Sequence, residues 1–226
     1  MIRSVIFDLD GTLFDRDSSV RKLIARQYEA FTLALQHIPK AAYIDRFMEL
    51  DARGYVRKDE VYRKLVEAHL IQGVTAGELF EDFYACYHHC CVPFPGLAEM
   101  LRLLKERGIK LAIITNGGHA FQMNTIKALG IEAFFSAILT SEKEGIRKPD
   151  PQIFQRAMER LGVGPAETVF VGDHPEVDIM GARQAGLKAV WKRDLFWEAP
   201  AQADGVIGHL SELIGILEGI AADRED

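Results

Sequence analysis

From residue 93 onward, the chain alternates short apolar segments with amphipathic segments of helical length. The apolar segments, KLAIITN and TVFVGD among them, are continuously apolar in their centres. Strands that are apolar on both sides are typical of a parallel sheet covered by helices on both faces. Together with a first strand, RSVIFD at residues 3–8, the alternation predicts an α/β fold with a Rossmann-like, doubly wound parallel sheet.

Residues 16–92 interrupt this alternation. The segment has almost no strand signal, and its apolar residues recur at helical spacing, as in KDEVYRKLVEAHLI. A polar stretch from Asp15 to Ser19 precedes its helices, and the two prolines of VPFPG at residues 92–96 end them. We therefore predict two domains: a core of residues 1–15 and 93–226, and an inserted α-helical domain of residues 16–92.

The composition argues against several classes of partner. A formal net charge of -6 and a pI near 5.7 do not suit a nucleic-acid partner, whose binding depends on an excess of Lys and Arg. No apolar stretch approaches the ~20 residues needed to cross a bilayer, and the N-terminal apolar run does not read as a signal peptide. We expect a cytoplasmic protein that binds neither nucleic acid nor membrane.

Two carboxylates stand at the end of the first strand. Asp8 and Asp10 are two residues apart, so an extended chain points them to the same side, and Gly11 permits a tight turn behind them. Like charges at this spacing repel each other, and a hard cation relieves the repulsion. Mg²⁺ needs only one or two protein carboxylates when waters and a substrate phosphate complete its coordination. The strand end therefore predicts a Mg²⁺ site.

Polar residues follow the other strands as well. Asp173 ends TVFVGD, and Asp178 lies in the first turns of the next helix. In an open parallel sheet, ligands gather outside the carboxyl ends of the strands, so these acids should join Asp8 and Asp10. Three residues that suit a phosphate group occupy the same kind of position, namely Thr115, Asn116 and Lys148. Because the acids outnumber the single lysine, we expect a phosphate dianion to need the metal ion as well.

The conjunction of these motifs resembles one protein family. DLDGT, ITN, the Lys148-Pro149-Asp150-Pro151 run and VGDHPEVDIMGARQAG are similar to the four motifs of the haloacid dehalogenase-like (HAD) hydrolases. The similarity covers residues 1–15 and about 93–195. The helical insert resembles the C1 cap of that superfamily, a lid over the site, and the phosphatase branch fits the motifs best.

The resemblance implies a role for each site residue. Asp8 is the nucleophile that forms an aspartyl-phosphate, and Asp10 is the acid that protonates the leaving oxygen and then the base that activates water. Phosphoryl oxygens are held by Thr115, Asn116 and Lys148. The Mg²⁺ ligands are Asp8, the backbone carbonyl of Asp10, and Asp173. Asp178 acts one shell further out, where it orients a metal-bound water or Lys148.

Several functions share this pattern. The predicted function is a Mg²⁺-dependent hydrolase of small phosphorylated metabolites. Dehalogenases of the superfamily attack carbon without a metal and lack an acid at the position of Asp10, so that residue favours phosphate chemistry. A phosphomutase shares all four motifs and differs in the cap. A non-enzymatic binding module is expected to have lost a motif, and none is lost here.

Local explanations remain open for some of these residues. Asp10 and Thr12 also suit a turn after the strand, and Asp178 suits the first turn of a helix, where an acid favours the helix dipole. The segment ACYHHCC holds all three cysteines, Cys86, Cys90 and Cys91, together with His88 and His89. It reads either as small buried side chains with solvated histidines or as a metal site, although helical spacing scatters these ligands over different faces.

Two further segments have open roles. Near a turn at Gly54 the insert carries four residues that either approach the leaving group or form a solvated face, namely Arg53, Tyr55, Arg57 and Lys58. After the last long strand, Phe196 and Trp197 are expected to pack their own loop rather than to stack on a base.

Overall fold

The structure, a computed structural model, describes residues 1–222, so residues 223–226 of the predicted core lie outside the described residues. Six parallel strands form one sheet in the order β3-β2-β1-β4-β5-β6. The strands are β1 (Ser4–Phe7), β2 (Lys110–Thr115), β3 (Ala137–Thr140), β4 (Thr168–Gly172), β5 (Lys188–Lys192) and β6 (Gly205–Ile207). The order reverses direction at β1, which confirms the predicted doubly wound parallel sheet.

Strand β1 lies at the centre of the sheet and is buried along its whole length. Ile6 faces Ala112 of β2 on one side and Phe170 of β4 on the other. No residue of β1 is exposed on either face, which is why its sequence is apolar rather than alternating. Asp8 follows directly after this strand, so a fully buried strand carries the first predicted catalytic residue to the sheet edge.

The chain divides into two compact units, one of Met1–Asp15 with the chain from Pro93 onward, the other of Arg16–Val92. The second unit is entirely helical. Its helices are α1 (Arg16–Ala30), α2 (Thr32–Leu35), α3 (Lys40–Asp51), α4 (Lys58–His69) and α5 (Ala76–Cys86), with 3-10 turns at Ala52–Gly54 and Tyr87–Cys90.

A buried amide organises the interior of this helical unit. The Oε1 atom of Gln27 accepts hydrogen bonds from the hydroxyls of Tyr43 and Tyr62, at 3.1 and 3.0 Å. Its Nε2 atom donates to the Leu79 carbonyl and to Asp82, so every polar atom of this buried side chain is satisfied. The network joins α1, α3, α4 and α5 at one point.

In the sheet unit, helices pack on both faces of the strands. They are α6 (Leu97–Glu106), α7 (His119–Ala128), α8 (Ser141–Glu144), α9 (Pro151–Leu161), α10 (Gly181–Gln184) and α11 (Leu213–Ala222). Shorter 3-10 turns occupy Glu132–Phe134, Pro165–Glu167 and Leu210–Glu212. None of the described helices is long and apolar enough to cross a membrane.

One element differs from the sequence-based expectation. The segment EVDIMGARQAG predicts a single regular helix, but the structure has a π-helix at Pro175–Met180 that continues into α10. The amide of Ile179 donates to the His174 carbonyl five residues back, which is the wide spacing of a π-turn. Apolar periodicity does not encode this widening, because a π-turn inserts only one residue.

Asp204 ties the edge strand β6 to its neighbour. Its carboxylate accepts hydrogen bonds from Arg183 at 2.7 Å, from Lys188 at 2.9 Å and from the Ala189 amide at 2.9 Å. Burial alone would raise the pKa of Asp204, but the Ala189 amide and the two cations outweigh it and lower that pKa below its usual value.

We expect Asp204→Asn to lower the free energy of unfolding by about 1–2 kcal/mol at pH 7, because hydrogen bonds to a charged acceptor become neutral ones. A depressed folded-state pKa gives stability above the unfolded pKa of about 3.9, and that stability is lost as the pH falls through the folded value. Urea denaturation from pH 7 toward acid should therefore show the difference between the two proteins shrinking.

The matched control is Glu218→Gln, which removes the exposed ion pair of Glu218 with Arg107. Exposed pairs contribute about 0–1 kcal/mol, so the control should unfold almost as wild type does. An Asp204→Asn protein as stable as wild type at pH 7 would contradict the role given to Asp204.

Candidate active site

A buried lysine joins two of the predicted carboxylates. The ammonium of Lys148 lies 2.5 Å from Asp8 Oδ1 and 2.7 Å from Asp178 Oδ1. All three side chains are almost fully buried. The backbone amide of Asp8 donates to the Val171 carbonyl of β4 at 2.9 Å, which fixes the start of the turn that carries the acid.

The loop that carries Lys148 is held from both sides. The side chain of Asn116 accepts from the Lys148 amide at 3.0 Å and donates to the Lys148 carbonyl at 2.9 Å. Downstream, Asp150 caps α9 by accepting the amide of Gln152, and Pro151 occupies the first position of that helix. Both polar atoms of the Asn116 side chain are thus bonded to Lys148, and these bonds use one of the two hydrogens on Nδ2.

Asp173 follows β4 and lies beside Asp8. Its carbonyl accepts from the indole of Trp191 at 2.6 Å. The hydroxyl of Thr12 is 3.2 Å from Asp8 Oδ2 and 3.5 Å from Asp173 Oδ1, so it lies between the two acids. Gly11 has a φ of +81°, and a Cβ at this position would lie only 2.6 Å from Asp173 Oδ2. The glycine of DLDGT is therefore required by both the turn and the neighbouring carboxylate.

The π-helix aims Asp178 at Lys148. Asp178 Oδ2 accepts the His174 amide at 3.0 Å, which leaves Oδ1 for the lysine. His174 Nδ1 in turn accepts the amides of Glu176 and Val177, and its ring packs on the indole of Trp197 with centroids 4.3 Å apart. The His174 side chain thus caps the first turn after β4. The geometry of this turn sets the direction of the Asp178 side chain.

Asp10 has a different partner. Its Oδ2 atom accepts from the side-chain amide of Gln122 at 2.7 Å, and the same nitrogen lies 2.7 Å from Thr115 Oγ1. Gln122 and Thr115 are buried, and Asp10 is half-buried. The second acid of DLDGT is therefore linked to the end of β2, away from the lysine.

The charges of the site are unbalanced. Burial raises the pKa of Asp8 to about 7, with Lys148 opposing the rise and the charges of Asp178 and Asp10 adding to it. Burial likewise raises the pKa of Asp173 well above its usual value. Burial alone would lower the pKa of Lys148, but the negative charges of Asp178 and Asp8 outweigh burial and raise that pKa. One cation does not neutralise this cluster.

The acids can hold a divalent cation. Asp8, Asp173 and Asp178 each offer an oxygen within 4.8 Å of the others, and they form the one such group of three or more potential ligands in residues 1–222. Three buried oxygen donors with excess negative charge fit the preference of Mg²⁺ for carboxylates. The side chain of Asp10 is not in this group, so its predicted contact with the metal is by the backbone carbonyl only.

The structure brings the predicted residues to one sheet edge: Asp8, Asp10, Thr115, Asn116, Lys148, Asp173 and Asp178. Sequence reasoning missed Gln122, whose side chain contacts Asp10 and Thr115, and His174, whose backbone amide donates to Asp178. A signal exists for Gln122, because it lies in the first turn of the helix that follows the ITN motif. His174 is flanked by Asp173 and Pro175, so its position at the start of a helix suggests a capping role.

The other candidate segments lie outside this cluster. The three cysteines are free thiols, and no group of metal-ligating geometry includes them or His88 and His89 within the described part of the chain. In the helical unit, Arg53 pairs with Asp17 at 3.2 Å, and Lys58 pairs with the buried Asp51.

The remaining candidates are aromatic or exposed. Trp197 packs on His174, and Phe196 packs perpendicular to Trp197 while staying 65% exposed. In the helical unit, Tyr55 is 63% exposed, and Arg57 forms an exposed ion pair with Asp59.

Comparison with known proteins places this site in context. The model of the haloacid dehalogenase-like hydrolase family matches residues 2–186. Glyceraldehyde 3-phosphate phosphatase of Pyrococcus furiosus is 30% identical, over 96% of this chain and 93% of its own. The HAD-hydrolase YfnB from Bacillus subtilis, solved bound to magnesium, is 25% identical with a TM-score of 0.75, and the match covers 96% and 98% of the two chains.

A dehalogenase is also similar to this chain. The 2-haloacid dehalogenase from Pseudomonas syringae pv. Tomato DC3000 is 30% identical with a TM-score of 0.65, and the match covers 97% of this chain and 99% of that one. The fold is thus shared by relatives named for different reactions, so the fold alone does not assign the reaction. By its matched motifs and its fold, the chain belongs to the haloacid dehalogenase-like hydrolase family.

Proposed function

We propose that the protein is a Mg²⁺-dependent phosphomonoester hydrolase that acts on small phosphorylated metabolites through an aspartyl-phosphate at Asp8. The observation that carries the proposal is the pair of acids on one turn with different partners. Asp8 is bonded to a buried ammonium, whereas Asp10 is bonded to a neutral amide. A charge-stabilised nucleophile beside a separate acid–base group is what hydrolysis through a covalent intermediate requires.

In the first step, a carboxylate oxygen of Asp8 attacks phosphorus, and the bond from phosphorus to the leaving oxygen breaks. Asp10 gives its proton to that oxygen, so the alcohol leaves neutral. Lys148 and Thr12 hold the Asp8 carboxylate by one oxygen each, which fixes the direction of attack. Positioning and charge compensation supply most of the rate enhancement in phosphoryl transfer.

In the second step, Asp10 takes a proton from a water that attacks the phosphoryl group. The bond between phosphorus and Asp8 breaks, inorganic phosphate leaves, and both acids return to their starting states. The hydroxyl of Thr115 and the ammonium of Lys148 bind phosphoryl oxygens in both steps. Asn116 fixes the backbone of Lys148 with both ends of its side chain, and the second hydrogen on its Nδ2 atom binds a phosphoryl oxygen.

The residues that would hold Mg²⁺ are Asp8, Asp173 and the carbonyl of Asp10, with Asp178 next to them. When bound, the ion neutralises the acids and the phosphate together. Support comes from the excess of buried negative charge around Lys148 and from the magnesium-bound relative in Bacillus subtilis.

The preference for phosphate over a haloacid rests on Asp10 and on the buried acids. Attack on a carbon–halogen bond expels halide, which needs no proton from an acid. A haloacid is also an anion, so a cluster of buried carboxylates would repel it and would not assist the attack on carbon. The relative in Pyrococcus furiosus is named as a phosphatase of glyceraldehyde 3-phosphate, which supports a small phosphorylated metabolite as the substrate.

We expect MgCl2 to raise the melting temperature of the protein, because an ion that binds only the folded state stabilises it. At about 100 times the dissociation constant the gain is about 2.7 kcal/mol, or roughly 5–10 °C for a chain of this size. Asp173→Asn should abolish this rise and, without metal, should melt at or above the wild-type temperature, because it removes a buried repulsive charge. Thermal unfolding with MgCl2 or NaCl at equal ionic strength measures both effects.

The control for this experiment is Glu132→Gln, which changes an exposed acid next to β3 and should keep the full response to MgCl2. In parallel, EDTA should abolish phosphate release from p-nitrophenyl phosphate, and added MgCl2 should restore it. Phosphatase activity that survives chelation would remove the metal from the mechanism.

We expect Asp8→Asn to lower kcat by at least about 10³-fold, because an amide oxygen is too weak a nucleophile to form the intermediate. Asp10→Asn should instead accumulate phosphoenzyme with p-nitrophenyl phosphate, a good leaving group, because the base for the second step is missing. Acid quenching followed by peptide mass analysis locates the phosphoryl group.

The two variants serve as each other's controls, since each removes one carboxylate from the same turn. Circular dichroism and urea midpoints establish that both proteins are folded. A phosphoryl group on a peptide without Asp8, or halide release from a 2-haloacid in place of phosphate release, would overturn the proposed chemistry.

A further inference from the structure

Gln122 occupies a buried position between two elements of the site. Its Nε2 atom lies 2.7 Å from Asp10 Oδ2 and 2.7 Å from Thr115 Oγ1, and the residue is 3% exposed. A primary amide nitrogen carries two hydrogens, so each contact takes one of them. Gln122 therefore connects the predicted acid–base residue after β1 with the predicted phosphate-binding residue at the end of β2.

These contacts determine where protons stand on both partners. Because Asp10 Oδ2 accepts from the amide, a proton on that carboxyl is favoured on Oδ1, the oxygen that the amide does not contact. Because Thr115 Oγ1 also accepts from the amide, its own hydrogen points elsewhere and can be donated. The single amide group thus selects one oxygen of Asp10 as the proton donor and leaves the Thr115 hydroxyl as a donor.

The orientation of the amide is fixed by these partners. The Oε1 atom of Gln122 is buried and has no hydrogen-bond partner. Rotating the amide by half a turn would place Oε1 against the Asp10 carboxylate, where two acceptors repel. The Asp10 carboxylate and the Thr115 hydroxyl therefore keep the nitrogen of Gln122, and not its oxygen, on their side.

The backbone also leaves room for this side chain. A Cβ atom at Gly117 would lie 2.9 Å from Nε2 and 3.1 Å from Cγ of Gln122. Gly117 has no positive φ that would itself demand glycine. The absence of a side chain at residue 117 is therefore explained by the close approach of Gln122.

We propose that Gln122 is a positioning residue that holds Asp10 for proton transfer to the leaving oxygen and fixes the Thr115 hydroxyl as a donor to the phosphoryl group. This inference rests on the proposed function of the same site. It assigns Gln122 to the reaction through Asp10 and Thr115, without contact of its own with the reacting atoms.

The test uses two substrates whose leaving groups differ in how much they depend on protonation as the bond to phosphorus breaks. p-Nitrophenyl phosphate has a good leaving group, whereas phenyl phosphate releases a phenol with a pKa of about 10, as in tyrosine. Gln122→Met keeps the length of the side chain and removes both donors. We expect kcat/KM for phenyl phosphate to fall roughly 10²-fold, within the range of general acid catalysis, and that for p-nitrophenyl phosphate to fall several-fold less.

Further variants separate positioning from folding. The methyl group of Gly117→Ala would push on the Gln122 amide. This variant should therefore also lower kcat/KM more for phenyl phosphate than for p-nitrophenyl phosphate. Thr125→Val is the matched control on α7, because it removes a buried hydroxyl bonded to the Phe121 carbonyl and should leave the substrate ratio unchanged. In an Asp10→Asn background, Gln122→Met should lower kcat/KM for phenyl phosphate by less than it does in the wild type, because one of the two groups it positions is already gone.

The outcomes are distinguishable. Two results with a folded Gln122→Met protein would overturn the positioning role and leave the proposed function intact. One is an equal fall in kcat/KM for both substrates, and the other is a fall in the Asp10→Asn background as large as in the wild type. A wild-type protein that releases phosphate from neither substrate in the presence of MgCl2 would instead overturn the proposed function.

Discussion

The ammonium of Lys148 between Asp8 and Asp178 is the interaction on which the site depends. It joins the end of the central strand, the loop after β3 and the π-helix after β4 at distances of 2.5 and 2.7 Å. A buried ion pair of this kind adds little net stability, because desolvation offsets the attraction, but losing one partner leaves a charge stranded. The three segments are therefore obliged to meet in one arrangement.

Contacts from neighbouring residues hold the mutually repelling acids of the site in place. Thr12 lies between Asp8 and Asp173, Trp191 holds the Asp173 carbonyl, and Asn116 holds the backbone of Lys148. Each of these contacts is made from a strand end or the turn that follows it. The sheet thus fixes the positions of the turns, and the turns carry the reactive side chains. This arrangement is common where repelling groups are held together at a functional site.

Much of this arrangement could be predicted from the sequence, because strand direction and strand ends decide it. Once the sheet is parallel, Asp8 and Asp173, which directly follow β1 and β4, must reach the same edge. The partners of side-chain amides could not be predicted, since they depend on packing over a few ångströms. The two hydrogen bonds between the Asn116 side chain and the backbone of Lys148 are one example.

The π-helix after β4 has a consequence for how this chain can vary in length. Its wide turn contains one residue more than a regular helix would need, and Asp178 lies within it. Deleting a single residue there would restore ordinary winding and leave the later residues of α10 in phase, but side chains within the turn would rotate by up to about 100°. The Asp178 carboxylate would then turn away from the lysine, so homologous chains should tolerate substitutions in this segment far better than deletions.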